Sequence, residues 1–172
     1  LIDLSMSLDI IGPLADSVED CEIIYKIIKG KDEKDATSRA FLSENKDIKK
    51  ILIGVPKISA NKEIWELVKN KIKKICEKNN WKKEDIELEH INLGIQTYYP
   101  INYVEFFSGT RKFDGRKYGL KIEESCGEEV LRRILGGQEI AKAEFAGRYY
   151  RRALKTKRII EKEFENSFKK YD

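Results

Sequence analysis

The feature that most constrains the fold is a pair of strand-like segments separated by an amphipathic helix. The first segment, Ile51–Val55, is an apolar run that ends at Pro56, which is typical of a short strand buried on both faces of a parallel or mixed sheet. A helical pattern of apolar residues follows, with Asn61 as its possible N-cap. The second strand is predicted at Ile86–Leu93. The order strand, helix, strand predicts an α/β fold.

The chain is predicted to be part of a longer protein. Two strands among 172 residues are too few for an independent α/β sheet. The chain opens with Leu1 rather than an initiator methionine, has no signal-peptide pattern, and stops at Asp172 directly after a strongly periodic helix. We therefore expect residues 1–172 to form a single partial domain.

Four further helices are predicted from apolar periodicity and turn residues. The first begins at Ser17, which is placed with Asp20 to form a capping box, and it ends before Gly30. The polar residues 31–47 are expected to form a surface connection. The other three helices are predicted at Thr97–Thr110, from about Gly127 to Leu135, and from beyond Gly136 and Gly137 to Phe168.

Composition excludes several classes of protein. No apolar run approaches the ~20 residues needed to cross a bilayer, so the chain is expected to be soluble and without a membrane partner. The 34 Lys and Arg against 30 Asp and Glu give a net charge of only +4, which is too small to identify a nucleic-acid binder. Cys21, Cys76 and Cys126 lack the spacing of a zinc site or a disulfide framework. No metal site is predicted, and a reducing cytoplasm is the expected location.

Two isolated residues could take part in acid–base chemistry. His90 is the single histidine, so any Ser-His or Cys-His mechanism would depend on it. Because it lies within the second predicted strand, we interpret it as structural. Asp9 stands three residues before Gly12 and could be a general base, but a carboxylate in such a turn more often accepts backbone hydrogen bonds.

Clustered cations provide two more candidates. Arg148–Arg152 and Lys155–Arg158 could contact phosphates, although a solvated helix face is the simpler interpretation. Arg132 and Arg133 follow two glutamates by one helical turn, so ion pairs are the default expectation. An arginine can also bind a substrate carboxylate through two hydrogen bonds. Tyr98, judged from the residues alone, is expected to belong to the core.

Six separated stretches match, in order and spacing, a known group of enzymes. These stretches are Ser7–Pro13, Ser17–Asp20, Asp35–Ser38, Lys50–Pro56, Phe113–Gly119 and Cys126–Ile134. They resemble the amidase-signature family and, within it, the A subunits of tRNA-dependent amidotransferases. The first stretch is shared by amidase-signature enzymes generally, whereas its combination with the last two is more specific to these subunits.

The resemblance implies a partial amidase-signature fold in which helices flank a mixed β-sheet. It also implies a parent enzyme in which a Ser-Ser-Lys triad hydrolyses glutamine through an acyl-enzyme and releases ammonia. The implied partners are the B and C subunits of the amidotransferase and, through the complex, a misacylated tRNA, Glu-tRNA(Gln) or Asp-tRNA(Asn). The resemblance implies no cofactor in this chain, since ATP and magnesium are used by the partner subunit.

The resemblance also assigns candidate site residues. The triad segments are expected to precede this chain, so no catalytic residue is assigned within it. Arg133 aligns with the family's arginine that binds the carboxylate end of glutamine, and Tyr98 aligns, less closely, with a tyrosine near the pocket. The acidic residue that pairs with the glutamine amino group is expected beyond Asp172. The chain is shorter than many relatives at 119–126, so no contacts that close the pocket are assigned there.

Two other functions are compatible with the sequence. A free-standing amidase for small amides would keep the fold and the triad but need no partner subunit or tRNA. A non-catalytic module could bind RNA through its basic terminal helix, in which case binding would depend strongly on salt. The amidase-like stretches explain more of the sequence than the charge does, so the amidotransferase hypothesis is preferred.

Overall fold

The computed structural model describes residues 3–36, 38, 50–142 and 145–172, with only the backbone described at Glu123. The chain forms two compact units, one of residues 9–47 and one that combines residues 1–8 with 48–172. The single partial domain expected for residues 1–172 stays a prediction.

The 9–47 unit contains one described helix, α1, at Val18–Ile28. Its N-cap is Ser17, whose hydroxyl oxygen accepts a hydrogen bond from the backbone N–H of Asp20 at 3.1 Å, so the predicted cap is confirmed. Gly30 follows the C-cap residue with a positive φ of 145°, as a helix-ending glycine often does. The predicted surface connection at 31–47 lies largely outside the described residues.

A parallel two-stranded sheet supports one end of the larger unit. β1, at Leu52–Pro56, pairs in parallel with β2, at Lys82–Ile86, so that Leu52 lies opposite Lys82. Helix α2, at Lys62–Asn79, connects the two strands. The Asn61 side chain caps this helix, accepting hydrogen bonds from two backbone N–H groups at 2.9 and 3.2 Å. The predicted α/β unit and the predicted cap are therefore confirmed.

The predicted position of the second strand is wrong, because β2 ends where that prediction begins. Asn80 ends α2 in the left-handed conformation, with φ of 54°, and the Trp81 N–H donates to the Cys76 carbonyl at 2.9 Å. The chain reverses there and pairs with β1 at once. Four of the five β2 residues are exposed, so the strand has no apolar pattern. β1 is also less enclosed than expected, since only Val55 among its residues is buried.

A helical layer forms the rest of the larger unit. Helix α3, at Gly94–Thr110, follows a single 3-10 turn at Ile91–Leu93. Its buried residues include Ile101 and Phe106, and it packs against both α5 and α6. The remaining helices are α4 at Ile122–Ser125, α5 at Glu128–Ile140 and α6 at Arg148–Ser167. None of the helices within the described ranges has both the length and the apolar character that a bilayer crossing requires.

Helix α5 continues through Gly136 and Gly137, where the sequence predicted a break. A Cβ on Gly137 would overlap the Tyr103 carbonyl oxygen and lie 2.6 Å from the Phe107 Cβ. These glycines therefore allow α5 to approach the α3 backbone, although two glycines also lower intrinsic helix stability.

The last helix starts later than predicted, at Arg148, after the left-handed Gly147 with φ of 68°.

We expect Gly137→Ala to destabilise the full-length protein by about 3 kcal/mol, because the added methyl group overpacks the α3–α5 contact. Urea unfolding monitored by circular dichroism measures the change. Gly109→Ala is the matched control, since Gly109 lies on α3 with open space around its Cα; alanine there should stabilise by up to about 1 kcal/mol. Equal stability of the two variants would contradict the close-contact explanation.

Candidate functional site at the α3–α5 interface

The first turns of α5 bring two arginines to one carboxylate. Gly127 is the N-cap, and Glu129 lies in the first turn, where the helix dipole favours negative charge. Arg132 donates to both Glu129 carboxylate oxygens at 2.7 Å, and Arg133 Nε donates to Glu129 Oε1 at 2.8 Å. The expected ion pairs of the two arginines are therefore present, and both use Glu129.

This trio retains positive charge. Two guanidinium groups share one carboxylate, so the sum of two positive charges and one negative charge is +1. Hydrogen bonds from Arg132 first, and also from Arg133, lower the pKa of Glu129 to about 2, which keeps the carboxylate ionised at neutral pH. The arrangement suits an anionic ligand better than a cationic one.

The two arginines differ in what surrounds them. The Arg132 side chain is 54% exposed and lies over the Tyr103 ring at 5.5 Å while donating to its hydroxyl. The Arg133 side chain is only 21% exposed, and its Nη1 donates to Asn102 Oδ1 on α3 at 2.9 Å. Arg133 is therefore the arginine that lies between the two helices.

Tyr98 completes the surroundings of Arg133. The interaction with the Tyr98 hydroxyl and then the one with Glu129 raise the pKa of Arg133 above its ordinary value. A guanidinium has five N–H donors, and the described hydrogen bonds to Glu129 and Asn102 use two of them. Three donors are left, and a bidentate carboxylate requires two. The structure brings Tyr98 and Arg133 together, and their role in substrate binding stays a prediction.

A neighbouring cavity is a weaker candidate for the site. It has a volume of about 510 Å³ and lies between α3, α6 and Leu8. Tyr98 lines it together with Ile101 and Phe164, whereas Arg133 is outside its described lining. The exposed surface of its walls is mainly apolar, so we regard the guanidinium of Arg133 as the ligand-holding feature.

Sequence reasoning missed a buried carboxylate at Glu105. Its side chain accepts hydrogen bonds from the Ser5 hydroxyl at 2.6 Å and the Tyr150 hydroxyl at 2.9 Å. Ser7 donates twice more, through its hydroxyl at 2.6 Å and its backbone N–H at 3.0 Å. Glu105 is 9% exposed. It links the 3–8 segment, α3 and α6, so it organises the helical layer around the candidate site.

These hydrogen bonds keep Glu105 ionised. Burial opposes ionisation, but the hydrogen bonds from Ser5, Ser7 and Tyr150 outweigh burial, and the pKa of Glu105 lies below its ordinary value of 4.5. Burial and the bond to Glu105 raise the pKa of Tyr150 to about 12. The detectable signal in the sequence is a single acidic residue inside the otherwise aromatic and aliphatic stretch Tyr103–Phe107, which is unusual unless the charge is satisfied.

His90 lies in the turn before α3 and not in a strand, contrary to the prediction. Its Nδ1 is 2.6 Å from Glu163 Oε1, and its backbone N–H donates to Glu163 Oε2 at 3.1 Å. The hydrogen bond with Glu163 raises the pKa of His90 above 6.5. Glu89 lies nearby, and one candidate ligand atom from each of the three residues lies within 4.8 Å of the others. In its described contacts, His90 attaches this turn to α6 through Glu163.

The remaining candidates are Asp9 and the basic residues of α6. Asp9 belongs to the 9–47 unit, and it is exposed. On α6, the side chains of Arg151, Arg152 and Arg158 are exposed, as expected for a solvated helix face. Binding of RNA to this face stays a hypothesis.

Comparison with known proteins identifies the family. The family model described as Amidase matches residues 1–172, the whole chain. The chain belongs to the amidase family. Two further comparisons, with curated sequences and with solved structures, relate this amidase chain to individual proteins.

Two archaeal proteins illustrate the sequence similarity of this amidase chain. The A subunit of glutamyl-tRNA(Gln) amidotransferase from Methanococcus maripaludis strain C6 is 44% identical over 100% of this chain and 41% of its own length. The protein of the same name from Methanocaldococcus jannaschii is 44% identical over 100% of this chain and 40% of its own length. The chain therefore spans about two fifths of the length of these relatives.

Solved structures support the same architecture. The crystal structure of the glutamyl-tRNA(Gln) amidotransferase A subunit from Thermotoga maritima matches with a TM-score of 0.60 and 29% identity, over 94% of this chain and 35% of that one. An allophanate hydrolase from Kluyveromyces lactis matches with a TM-score of 0.67 and 20% identity, over 89% and 25% of the two chains. The second match supports the fold alone. The expected partial amidase-signature fold is confirmed.

We expect Glu105→Gln to destabilise the full-length protein by about 2 to 3 kcal/mol at neutral pH, because an amide satisfies fewer of the four donors. Since the folded pKa of Glu105 is lowered, this contribution is present above pH 4.5 and is lost as pH falls through the folded pKa. Urea unfolding at several pH values measures the difference between the two proteins. Tyr150→Phe removes one donor and should lower the free energy of unfolding by only about 1 kcal/mol. If the stability difference between the wild type and Glu105→Gln grew on acidification, this account would be contradicted.

The His90–Glu163 contact should have the opposite pH dependence. Because the folded pKa of His90 is raised, the stabilisation is fully present below pH 6.5 and is lost as pH rises through the folded pKa. Glu163→Gln should therefore lower the melting temperature most under mildly acidic conditions and least under alkaline ones. Glu161→Gln, on the same helix, is the control, and an equal pH dependence in both variants would contradict a specific role for Glu163.

Proposed function

We propose that the protein is the glutaminase subunit of a tRNA-dependent amidotransferase, and that this chain forms one wall of the glutamine pocket. The proposal is supported by 44% identity over the whole chain to proteins named as the A subunit of glutamyl-tRNA(Gln) amidotransferase. In this proposal the enzyme hydrolyses glutamine and supplies ammonia for converting Glu-tRNA(Gln) to Gln-tRNA(Gln), or Asp-tRNA(Asn) to Asn-tRNA(Asn).

The observation that carries the proposal is the arrangement around Arg133. Its guanidinium is partly buried, donates to Glu129 and Asn102 on two helices, and keeps three of its five N–H donors for a ligand. The local charge remains positive because Arg132 shares the same carboxylate. A planar carboxylate such as the α-carboxylate of glutamine fits this geometry and charge. Tyr98 borders the same guanidinium and belongs to the same proposed wall.

The chemical step is assigned to parts of the parent enzyme other than this chain. We infer that a Ser-Ser-Lys triad in its N-terminal part attacks the glutamine side-chain amide and releases ammonia. Arg133 contributes by binding and orienting the far end of the substrate. ATP and magnesium are assigned to the partner subunit that activates the misacylated tRNA, in a cytoplasmic heterotrimer. This chain alone is therefore expected to be inactive.

We expect Arg133→Ala in the full-length complex to raise the apparent KM for glutamine by about 100-fold, since a lost bidentate charge contact costs several kcal/mol. Amidation supported by free ammonia should be unchanged, because ammonia bypasses the glutamine pocket. Steady-state assays with each nitrogen donor measure both quantities. Arg158→Ala is the control, as Arg158 is an exposed arginine on α6 outside the group that shares Glu129, and its KM should change by less than about threefold.

Partner dependence separates this proposal from a free-standing amidase. Ammonia release from glutamine should rise when partner subunits, ATP and misacylated tRNA are added to the full-length protein. Equal release by the isolated full-length protein would favour the free-standing amidase. No release under any condition would favour the RNA-binding hypothesis, which salt-dependent binding assays would then test.

A further inference from the structure

Asn102 is a fully buried polar residue with an incomplete set of hydrogen bonds. It lies on α3 with 0% of its surface exposed, and its Oδ1 accepts the hydrogen bond from Arg133 Nη1 at 2.9 Å. Its Nδ2 is buried and has no hydrogen-bond partner among the described residues. Exchanging the amide oxygen and nitrogen would direct two donors at each other, so the guanidinium decides the orientation.

Stability alone does not explain an asparagine at this position. A buried amide N–H without a partner destabilises the folded state, whereas an apolar side chain of similar size would fill the same space without that penalty. Buried polar groups with unsatisfied hydrogen bonds therefore call for a functional explanation. The described hydrogen bond of the Asn102 side chain is the one to Arg133.

We propose that Asn102 is a positioning residue that orients the Arg133 guanidinium for the substrate carboxylate. This inference rests on the proposed function of Arg133. Arginine has a long, flexible side chain, and the bond to Glu129 comes from the same helix as Arg133. The bond from Asn102 comes from the facing helix. Contacts with two helices restrict the orientation of the guanidinium plane more than a contact with one helix does. Bidentate binding of a carboxylate depends on that orientation.

The neutrality of the asparagine is part of the inference. Arg132, Arg133 and Glu129 together carry a net charge of +1. An aspartate at position 102 would also accept a bond from Arg133, but the sum would become two positive and two negative charges, which is zero. An amide therefore holds the guanidinium while leaving the positive charge available to an anionic substrate.

The test is the glutamine kinetics of Asn102→Leu in the full-length protein with its partner subunits. We expect the apparent KM for glutamine to rise by about tenfold, in keeping with loss of a hydrogen bond to a charged group. The ammonia-dependent amidation rate should stay unchanged. The melting temperature should change little, because removal of the unsatisfied amide offsets the loss of the hydrogen bond from Arg133. Thr110→Val is the matched control: Thr110 is buried on the same helix and bonds only backbone carbonyls of α3 in its described contacts.

The outcomes separate this inference from the function on which it rests. An unchanged KM in Asn102→Leu, with Arg133→Ala strongly impaired, would overturn the positioning role and leave the proposed function standing. A lower melting temperature with no change in KM would indicate a structural residue and would also overturn it. Absence of glutaminase activity in the wild-type complex would overturn both.

Asn102→Asp keeps the test decisive if the leucine variant does not fold. This substitution preserves the size of the side chain and an oxygen next to Arg133 Nη1, but it cancels the net positive charge. We expect the KM for glutamine to rise while ammonia-dependent amidation is retained. If only the aspartate variant can be purified, an unchanged KM in that variant decides against the inference.

Discussion

The buried carboxylate of Glu105 is the interaction on which the helical layer depends. It accepts hydrogen bonds from Ser5, Ser7 and Tyr150, so it joins the 3–8 segment to two helices. A buried charge is tolerated only when such donors surround it, so the 3–8 segment, α3 and α6 must keep their relative positions. This stabilisation depends on all the donors being present, since removing one of them leaves part of the buried charge without a hydrogen bond.

The same face of α3 carries the candidate site, since Asn102 and Glu105 lie three residues apart on this helix, and a steric constraint determines the geometry of the site. Gly137 leaves no Cβ between α5 and the backbone at Tyr103, so the two helices approach closely. Arg133 on α5 can then reach Asn102 on α3 at 2.9 Å. Helix α3 thus carries the buried carboxylate of Glu105 and, one turn away, the Asn102 oxygen that accepts the hydrogen bond from the proposed glutamine-binding guanidinium.

Features governed by local rules were predictable from the sequence. The caps formed by Ser17 and Asn61 depend on neighbouring residues, and both are present. The second strand was misassigned, because an exposed strand at the edge of a two-stranded sheet has no apolar alternation to detect. Gly136 and Gly137 were misread as a helix end, because glycines that end a helix and glycines that allow close packing are identical in sequence.

The sequence by itself determined the α/β order, the helix caps, the family resemblance and the presence of two adjacent arginines one turn after two glutamates. The family resemblance singled out Arg133 by alignment, but only the tertiary structure showed how the surroundings of Arg133 and Arg132 differ, because both pair with Glu129. Successive residues on a helix point about 100° apart, so the Arg132 guanidinium contacts half-buried Tyr103 and the Arg133 guanidinium contacts fully buried Asn102, both on α3. Helix packing decides which residue of α3 each arginine contacts, and that packing depends on contacts between residues far apart in the chain.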